Sequence, residues 1–98
     1  MTGIEFITAE RTRQVERIGY DEEHDRHHTD EELARAGAWY ALPDYLRKPI
    51  ATWLKVVVWP AGWDFNRAPD GDNEARIWEL TKAGALIAAE IDRLQAQS

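Results

Sequence analysis

The sequence predicts an all-α protein, a small helical bundle of about four helices that forms a single domain over residues 1–98. Two segments begin with helix-capping motifs, and the C-terminal segment repeats its apolar residues at helical spacing. Only one short stretch is rich in β-branched residues, and a lone strand would have no partner to pair with. A long loop with aromatic side chains is expected before the C-terminal helix.

The first helix is expected over about Ile4–Ile18. Thr2 and Glu5 have the spacing of a capping box, in which each side chain accepts a hydrogen bond from the other residue's backbone amide. Gly19 favours a helix end, because a residue without Cβ readily adopts the left-handed conformation found there.

Apolar spacing in this helix places two polar side chains, Arg11 and Gln14, on the core side. A buried arginine needs a carboxylate partner, since an unpaired buried charge is strongly destabilising. Alternatively the helix is rotated so that Arg11 extends into water. The carboxylates available as partners are those of Glu32, Glu79 and Glu90.

The second helix is expected over about Asp30–Leu42. Thr29 and Glu32 repeat the capping-box spacing, and the acidic residues of the first turn interact favourably with the helix dipole. Pro43 ends the helix because proline cannot continue the backbone hydrogen bonding.

The third segment covers residues 50–59 and is expected to be helical. Pro49 suits a first helical turn, and the apolar residues that follow it have helical spacing. The run Val56–Trp59 is also typical of a strand, so a short strand stays open as the alternative.

The C-terminal helix is expected to begin after a cap at Asp72 or Asn73 and to end at about Gln95. Its apolar residues recur at alternating spacings of three and four, which is typical of a helix packed lengthwise on another helix. This row is predicted to face the core, and it consists of Ile77, Leu80, Gly84, Ile87, Ile91 and Leu94.

The connection Pro60–Gly71 before this helix contains two aromatic residues, Trp63 and Phe65. Leaving a large aromatic side chain in water forfeits about 1.5–3 kcal/mol. The two residues are therefore expected either to cover the core, which is the favoured interpretation, or to form a binding surface.

An internal repeat relates the second and fourth helices. Residues 32–41 (ELARAGAWYA) and 79–88 (ELTKAGALIA) are identical at six of ten positions. A glycine inside a helix lowers stability by about 1 kcal/mol relative to alanine, so it needs a structural reason. We expect Gly37 and Gly84 to let the two helices cross in close contact.

The charge is concentrated in one segment. The chain has a formal net charge of −6, and residues 21–32 carry seven acidic residues and one arginine. This balance disfavours binding to nucleic-acid phosphates and favours a protein partner with a basic surface. The residues expected to bind that partner are Asp21, Glu22, Glu23 and Asp25, together with Trp63 and Phe65.

The same segment contains His24, His27 and His28, whose spacing suits a transition-metal site if the segment is helical. The alternative is a solvated acidic loop whose histidines titrate near neutral pH. Both interpretations stay open.

An enzymatic alternative is a Mg²⁺-dependent, all-helical nucleotide pyrophosphohydrolase of the MazG type. That chemistry requires carboxylates from neighbouring helices, and Glu32, Glu79 and Glu90 are available. However, each is followed three residues later by a basic residue, which favours salt bridges within the helix over a paired-acid metal site.

Several classes of protein are disfavoured by composition. The chain has no cysteine, and its only serine is Ser98, so thiol and serine nucleophiles are excluded. No apolar run reaches the length of a membrane span, and the N-terminus lacks a secretion signal. We therefore expect a soluble, cytoplasmic protein that does not bind membranes.

Three motifs, ERTRQ at residues 10–14, GYDEEHDRHH at 19–28 and KAGALIAAEIDRL at 82–94, resemble a family of short phage and prophage proteins of unassigned function. The resemblance spans most of the chain. It implies a viral or prophage origin, a small accessory role and a location in the bacterial host cell, and it supplies no activity for particular residues.

The leading hypothesis is therefore a non-enzymatic, acidic protein-binding module, which acts on a host protein that handles nucleic acids or serves in defence. Five tryptophans are many for one small core, so some are expected at a subunit interface of a homodimer. No cofactor is expected, unless one of the alternatives with Mg²⁺ or a transition metal holds.

Overall fold

The computed structural model describes residues 1–18, 29–63 and 72–96. Within these ranges the chain forms five α-helices, one π-helical turn and no strand, which confirms the all-α prediction. No helix in these ranges is both long and apolar enough to cross a bilayer. In chain order the elements are α1 (Gly3–Arg13), the π-helical turn Gln14–Ile18, α2 (Glu32–Ala41), α3 (Asp44–Arg47), α4 (Thr52–Val58) and α5 (Asn73–Ala96).

The long helix α5 is the centre of the fold, because α1 and α2 both pack along it. Residues later in α1 contact residues later in α5, so these two helices are parallel. Residues later in α2 contact residues earlier in α5, so α2 is antiparallel to α5. The indole rings of Trp59 and Trp63 pack on the edge of the core. The core itself consists of Leu33, Ala36, Tyr40, Ala83, Leu86 and Ala89.

Local capping signals predict two helix starts correctly. The Thr2 hydroxyl accepts a hydrogen bond from the Glu5 amide at 3.2 Å, and the Glu5 carboxylate accepts one from the Thr2 amide at 2.8 Å. The hydrogen bond from the Thr2 amide, together with the Thr2 side chain, lowers the pKa of Glu5. At the start of α5, the Asp72 carboxylate accepts from the Ala75 amide at 2.7 Å.

The predicted capping box at Thr29 is wrong. Helix α2 begins only at Glu32, and Glu31 before it is left-handed, with φ of 56°. The Glu32 carboxylate accepts a hydrogen bond from the Asp30 amide at 2.5 Å. The left-handed residue interrupts the helical backbone that a cap at Thr29 requires.

The third predicted segment is helical, as expected, and forms α4. Its start differs from the prediction, because Pro49 lies before the helix and not in its first turn. The chain also forms the short helix α3, which the sequence did not indicate.

The predicted core face of α5 is wrong. The large side chains of the expected row remain 44–53% exposed. The face that packs on α2 is made of smaller residues, such as Ala83 and Ala89, because they allow the helices to approach closely. Its charged members Glu79, Glu90 and Arg93 are buried as ion pairs, which hydrophobic spacing does not reveal.

The two repeated glycines do not share one crossing. A Cβ at Gly37 would lie 3.2 Å from the Ala83 carbonyl oxygen, so this glycine allows α2 to approach α5 as predicted. A Cβ at Gly84 would instead lie 2.5 Å from the Ile7 side chain of α1. Adjacent helical residues point about 100° apart, so Ala83 and Gly84 face different neighbours.

The predicted orientation of Gln14 is confirmed, since it is buried. Arg11 is also largely buried, and its guanidinium lies 3.6 Å from the Asp92 carboxylate. Asp92 was not among the three expected partners; the parallel packing of α1 on α5 brings Arg11 alongside it in the last turns of α5.

Candidate functional site

Most of the predicted binding segment lies outside the described residues. This applies to the acidic side chains of Asp21, Glu22, Glu23 and Asp25, to the histidines His24, His27 and His28, and to Phe65. Among the residues that are described, no group of three or more histidine or acidic side chains is arranged to hold a metal ion.

Trp63 is described, and it covers the core. Its ring meets that of Trp59 edge to face at a centroid distance of 6.4 Å, and the Trp59 indole donates to the Trp63 carbonyl at 2.7 Å. The half-buried Trp63 thereby takes the covering role that the sequence favoured.

The carboxylate of Glu79, one of the three candidate catalytic residues, is buried between two arginines. Arg47 of α3 donates to it at 2.8 Å and Arg76 donates at 3.2 Å. The basic residue three positions after Glu79, Lys82, was expected as its partner, but Lys82 lies beside Glu10 instead. The buried side chain of Arg47 takes that place.

The other two candidate glutamates also have structural partners. Glu90 pairs with Arg93 inside the core face, as its spacing predicted. Glu32 accepts from the Asp30 amide, while Arg35 donates to the carbonyls of Val57 and Val58 at the end of α4, at 2.8 and 3.2 Å. Glu79 and Glu90 are thus already neutralised by arginines.

The row that was predicted as core instead forms an exposed apolar surface, which we call the α5 stripe and define as Ile77, Leu80, Ile87, Ile91 and Leu94. It extends about 25 Å along the helix and includes no charged residue. The molecule measures 37 × 35 × 20 Å, and its thickness corresponds to about two helix diameters. Met1 extends the apolar surface, since it lines a depression of about 320 Å³ with Ile77 and Leu80.

A separate groove of about 580 Å³ lies between α1 and α5. Its apolar walls include Phe6 and Trp78, and its charged lining includes Glu10, Arg13 and Lys82. We call this feature the α1/α5 groove.

Glu10 interacts with both basic side chains at the charged end of the groove, Arg13 and Lys82. Both of its oxygens accept from Arg13 at 2.7 Å, and Oε2 also accepts from Gln14 at 3.3 Å and lies 3.5 Å from Nζ of Lys82. Burial raises the pKa of Glu10, but the bonds to Arg13 and the charge of Lys82 outweigh it and lower the pKa. Glu10 is therefore an anion at neutral pH.

No protein-family model, curated protein or solved structure matches this chain. The functional argument therefore depends on the geometry and chemistry of these surfaces.

Sequence reasoning missed the α1/α5 groove. Phe6, Glu10 and Arg13 share one face of α1, and Trp78 and Lys82 are four residues apart on α5, so each helix alone carries a signal. Nothing in the sequence indicates that these two faces meet, because α1 and α5 are far apart in the chain.

Proposed function

We propose that this protein is a non-enzymatic binding module that acts as a homodimer, with the α5 stripe as the contact between copies and the acidic segment 21–32 as the docking surface for a basic partner protein. The observation that carries the proposal is the stripe, because five large apolar side chains remain half-exposed on one helix. Contiguous apolar patches of this kind on small proteins commonly mark interaction sites.

A second copy is the occupant that suits the α5 stripe best. The stripe contains no charged residue, so two acidic molecules can meet there without bringing like charges into contact. The same patch on both copies gives a closed two-fold contact. A small chain also gains stability from such pairing, because it buries a smaller share of its surface than a larger domain.

The charge distribution favours a basic partner for the rest of the surface. Within the described residues, the arginines Arg47, Arg76 and Arg93 neutralise carboxylates of their own chain. The largest local excess of negative charge lies in residues 21–32, which carry seven acidic residues and one arginine. A cationic groove on a partner, including one that normally holds nucleic acid, is attracted to such a segment over about 10 Å at 0.1 M salt.

An accessory role in a phage-infected bacterial cell belongs to the same proposal. It rests on the motif resemblance and on the absence of an assigned activity in the proteins that share those motifs. A small acidic protein that occupies a basic groove of a host enzyme would act there without chemistry of its own.

Partner capture from bacterial lysate tests the acidic segment. The variant Glu22→Gln/Glu23→Gln is compared with the matched control Glu16→Gln/Glu74→Gln, which removes the same charge from exposed sites in α1's π-helical extension and α5. At about 0.1 M salt, we expect the wild type and the control to capture the same proteins, and the acidic-segment variant to capture none of them. At about 1 M salt, where the charges are screened, the wild type should also fail to capture them. Equal capture by both variants would exclude residues 21–32 as the docking surface.

The pyrophosphohydrolase alternative makes a different prediction. It requires purified protein with Mg²⁺ to release pyrophosphate from a nucleotide, and Glu90→Gln to abolish that release. The alternative has to account for the fact that Arg93 already pairs with Oε1 of Glu90, and that two arginines bond the carboxylate of Glu79.

A further inference from the structure

The α1/α5 groove has the size and walls of a small-molecule site. Its volume of about 580 Å³ falls within the usual range of such sites, about 300–1,000 Å³. Apolar walls with a few polar groups at one end are typical of pockets that bind an amphipathic ligand. The walls are formed by Phe6, Ala9, Ile77, Trp78 and Thr81.

Lys82 provides an ammonium group with spare hydrogen-bonding capacity at the charged end. Its side chain is only 15% exposed, and Nζ lies 4.7 Å from the Trp78 ring centroid and 3.5 Å from Glu10. Within the described part of the chain, Nζ donates no hydrogen bond, although an ammonium has three donors. The nearest carboxylate oxygen, Oε2 of Glu10, accepts from Arg13 and Gln14 and lies 3.5 Å from Nζ.

Charge sets the direction in which a ligand would lie. Two cations, Arg13 and Lys82, surround the single carboxylate of Glu10, so this end of the groove carries a net positive charge. Glu74 also lines the groove, but it is eight residues before Lys82, which is about 12 Å along a helix. An anionic group is therefore attracted to the Lys82 end and repelled from the Glu74 end.

We propose that the α1/α5 groove binds a small aromatic carboxylate, with its ring against Phe6 and Trp78 and its carboxylate accepting hydrogen bonds from Nζ of Lys82. A carboxylate supplies the acceptors that the ammonium lacks, and charge-assisted hydrogen bonds of this kind are stronger than neutral ones. The aromatic ring supplies the apolar surface that fills the groove beside the indole. This function is additional to the proposed partner binding and does not depend on it.

An NMR titration of isotope-labelled protein tests the site, with the Trp78 indole N–H resonance as the readout. The two probes are 2-naphthoate and its neutral isostere 2-naphthamide. We expect the acid to bind at least about tenfold more tightly than the amide, because only the acid pairs with Lys82. In Lys82→Met, which keeps the aliphatic stem, the two probes should bind equally. The matched control Lys48→Met removes an exposed lysine and should leave the preference unchanged.

Equal affinity of the two probes in the wild type, or no binding of 2-naphthoate, would overturn the proposal. A preference for the acid that persists in Lys82→Met would overturn the role of Lys82. Binding of a peptide with a free C-terminal carboxylate but not of 2-naphthoate would also overturn it, since the occupant would then be a protein. The comparison of acid with amide uses unaltered protein, so it stands even if a variant folds poorly.

Discussion

Arg47 and Glu79 form a buried ion pair with a hydrogen bond of 2.8 Å between Nη2 and Oε2. The pair joins the short helix α3 to the central helix α5, and Arg47 also donates to the Trp39 carbonyl at 3.1 Å. Removing one member of such a pair weakens the compensation of the other charge in the interior, so the pair holds α3 in place even if its net contribution to stability is small.

We predict that Glu79→Gln lowers the free energy of unfolding by about 3–5 kcal/mol, because it removes the buried carboxylate that Arg47 and Arg76 share. Arg47→Met should cost less, since Arg76 still pairs with Glu79 at 3.2 Å. The double variant Arg47→Met/Glu79→Gln should lose less than the sum of the two. Urea denaturation measures all three. The exposed pair between Lys48 and Asp44, at 3.3 Å, provides the control, and Lys48→Met should cost no more than about 1 kcal/mol. Equal losses at both sites would contradict the buried pair.

The lowered pKa of Glu10 predicts a dependence of stability on pH. A carboxyl whose pKa is lower in the folded state stabilises the protein above its unfolded value of about 4.3, and this contribution is lost as the pH falls through the folded value. Urea unfolding at neutral pH and at decreasing pH below 4.3 should therefore show a smaller acid-induced loss for Glu10→Gln than for wild type. Glu16→Gln, at an exposed position, should follow the wild type. The same acid sensitivity in all three proteins would exclude Glu10 as its source.

The contact between Gly84 and Ile7 predicts a coupled pair of substitutions. Gly84→Leu places atoms where the Ile7 side chain lies, so we expect a loss of about 1–3 kcal/mol from overpacking. Ile7→Ala makes room for the new side chain, and the double variant should regain part of the loss. Gly3→Ala is the control, because no other atom lies within 4 Å of its Cβ position. Independent, additive effects at residues 7 and 84 in a denaturation series would show that the two side chains do not meet.

The starts of α1 and α5 were predictable because capping depends on residues that are neighbours in the chain, as at Thr2 and Glu5. The same signal failed at Thr29, where the left-handed Glu31 moves the start of α2 to Glu32. The close approach at Gly37 was also predictable, since a glycine inside a helix indicates a crowded contact. The buried face of α5 was not predictable from hydrophobic spacing. Alanines and paired charges occupy the interior there, while isoleucine and leucine remain outside.

The candidate sites were less predictable than the fold. The α5 stripe was visible in the sequence, but its 3-4 spacing is equally typical of a core helix and of an interface between copies. The partner of Arg11 and the α1/α5 groove both follow from the parallel packing of α1 on α5. Contacts between residues so far apart in the chain leave no mark in local sequence patterns.

Sedimentation velocity of the wild type and Ile91→Glu tests most directly whether the α5 stripe pairs two copies. Ile91 is the most exposed member of the stripe, and a charge there cannot be buried against a second copy without a large penalty. We predict that the wild type sediments at twice the chain mass of 11.3 kDa and that Ile91→Glu sediments as a monomer with unchanged helix content. Val56→Glu, at an even more exposed apolar site on α4, should remain dimeric. A monomeric wild type, or an Ile91→Glu variant that stays dimeric, would contradict the account.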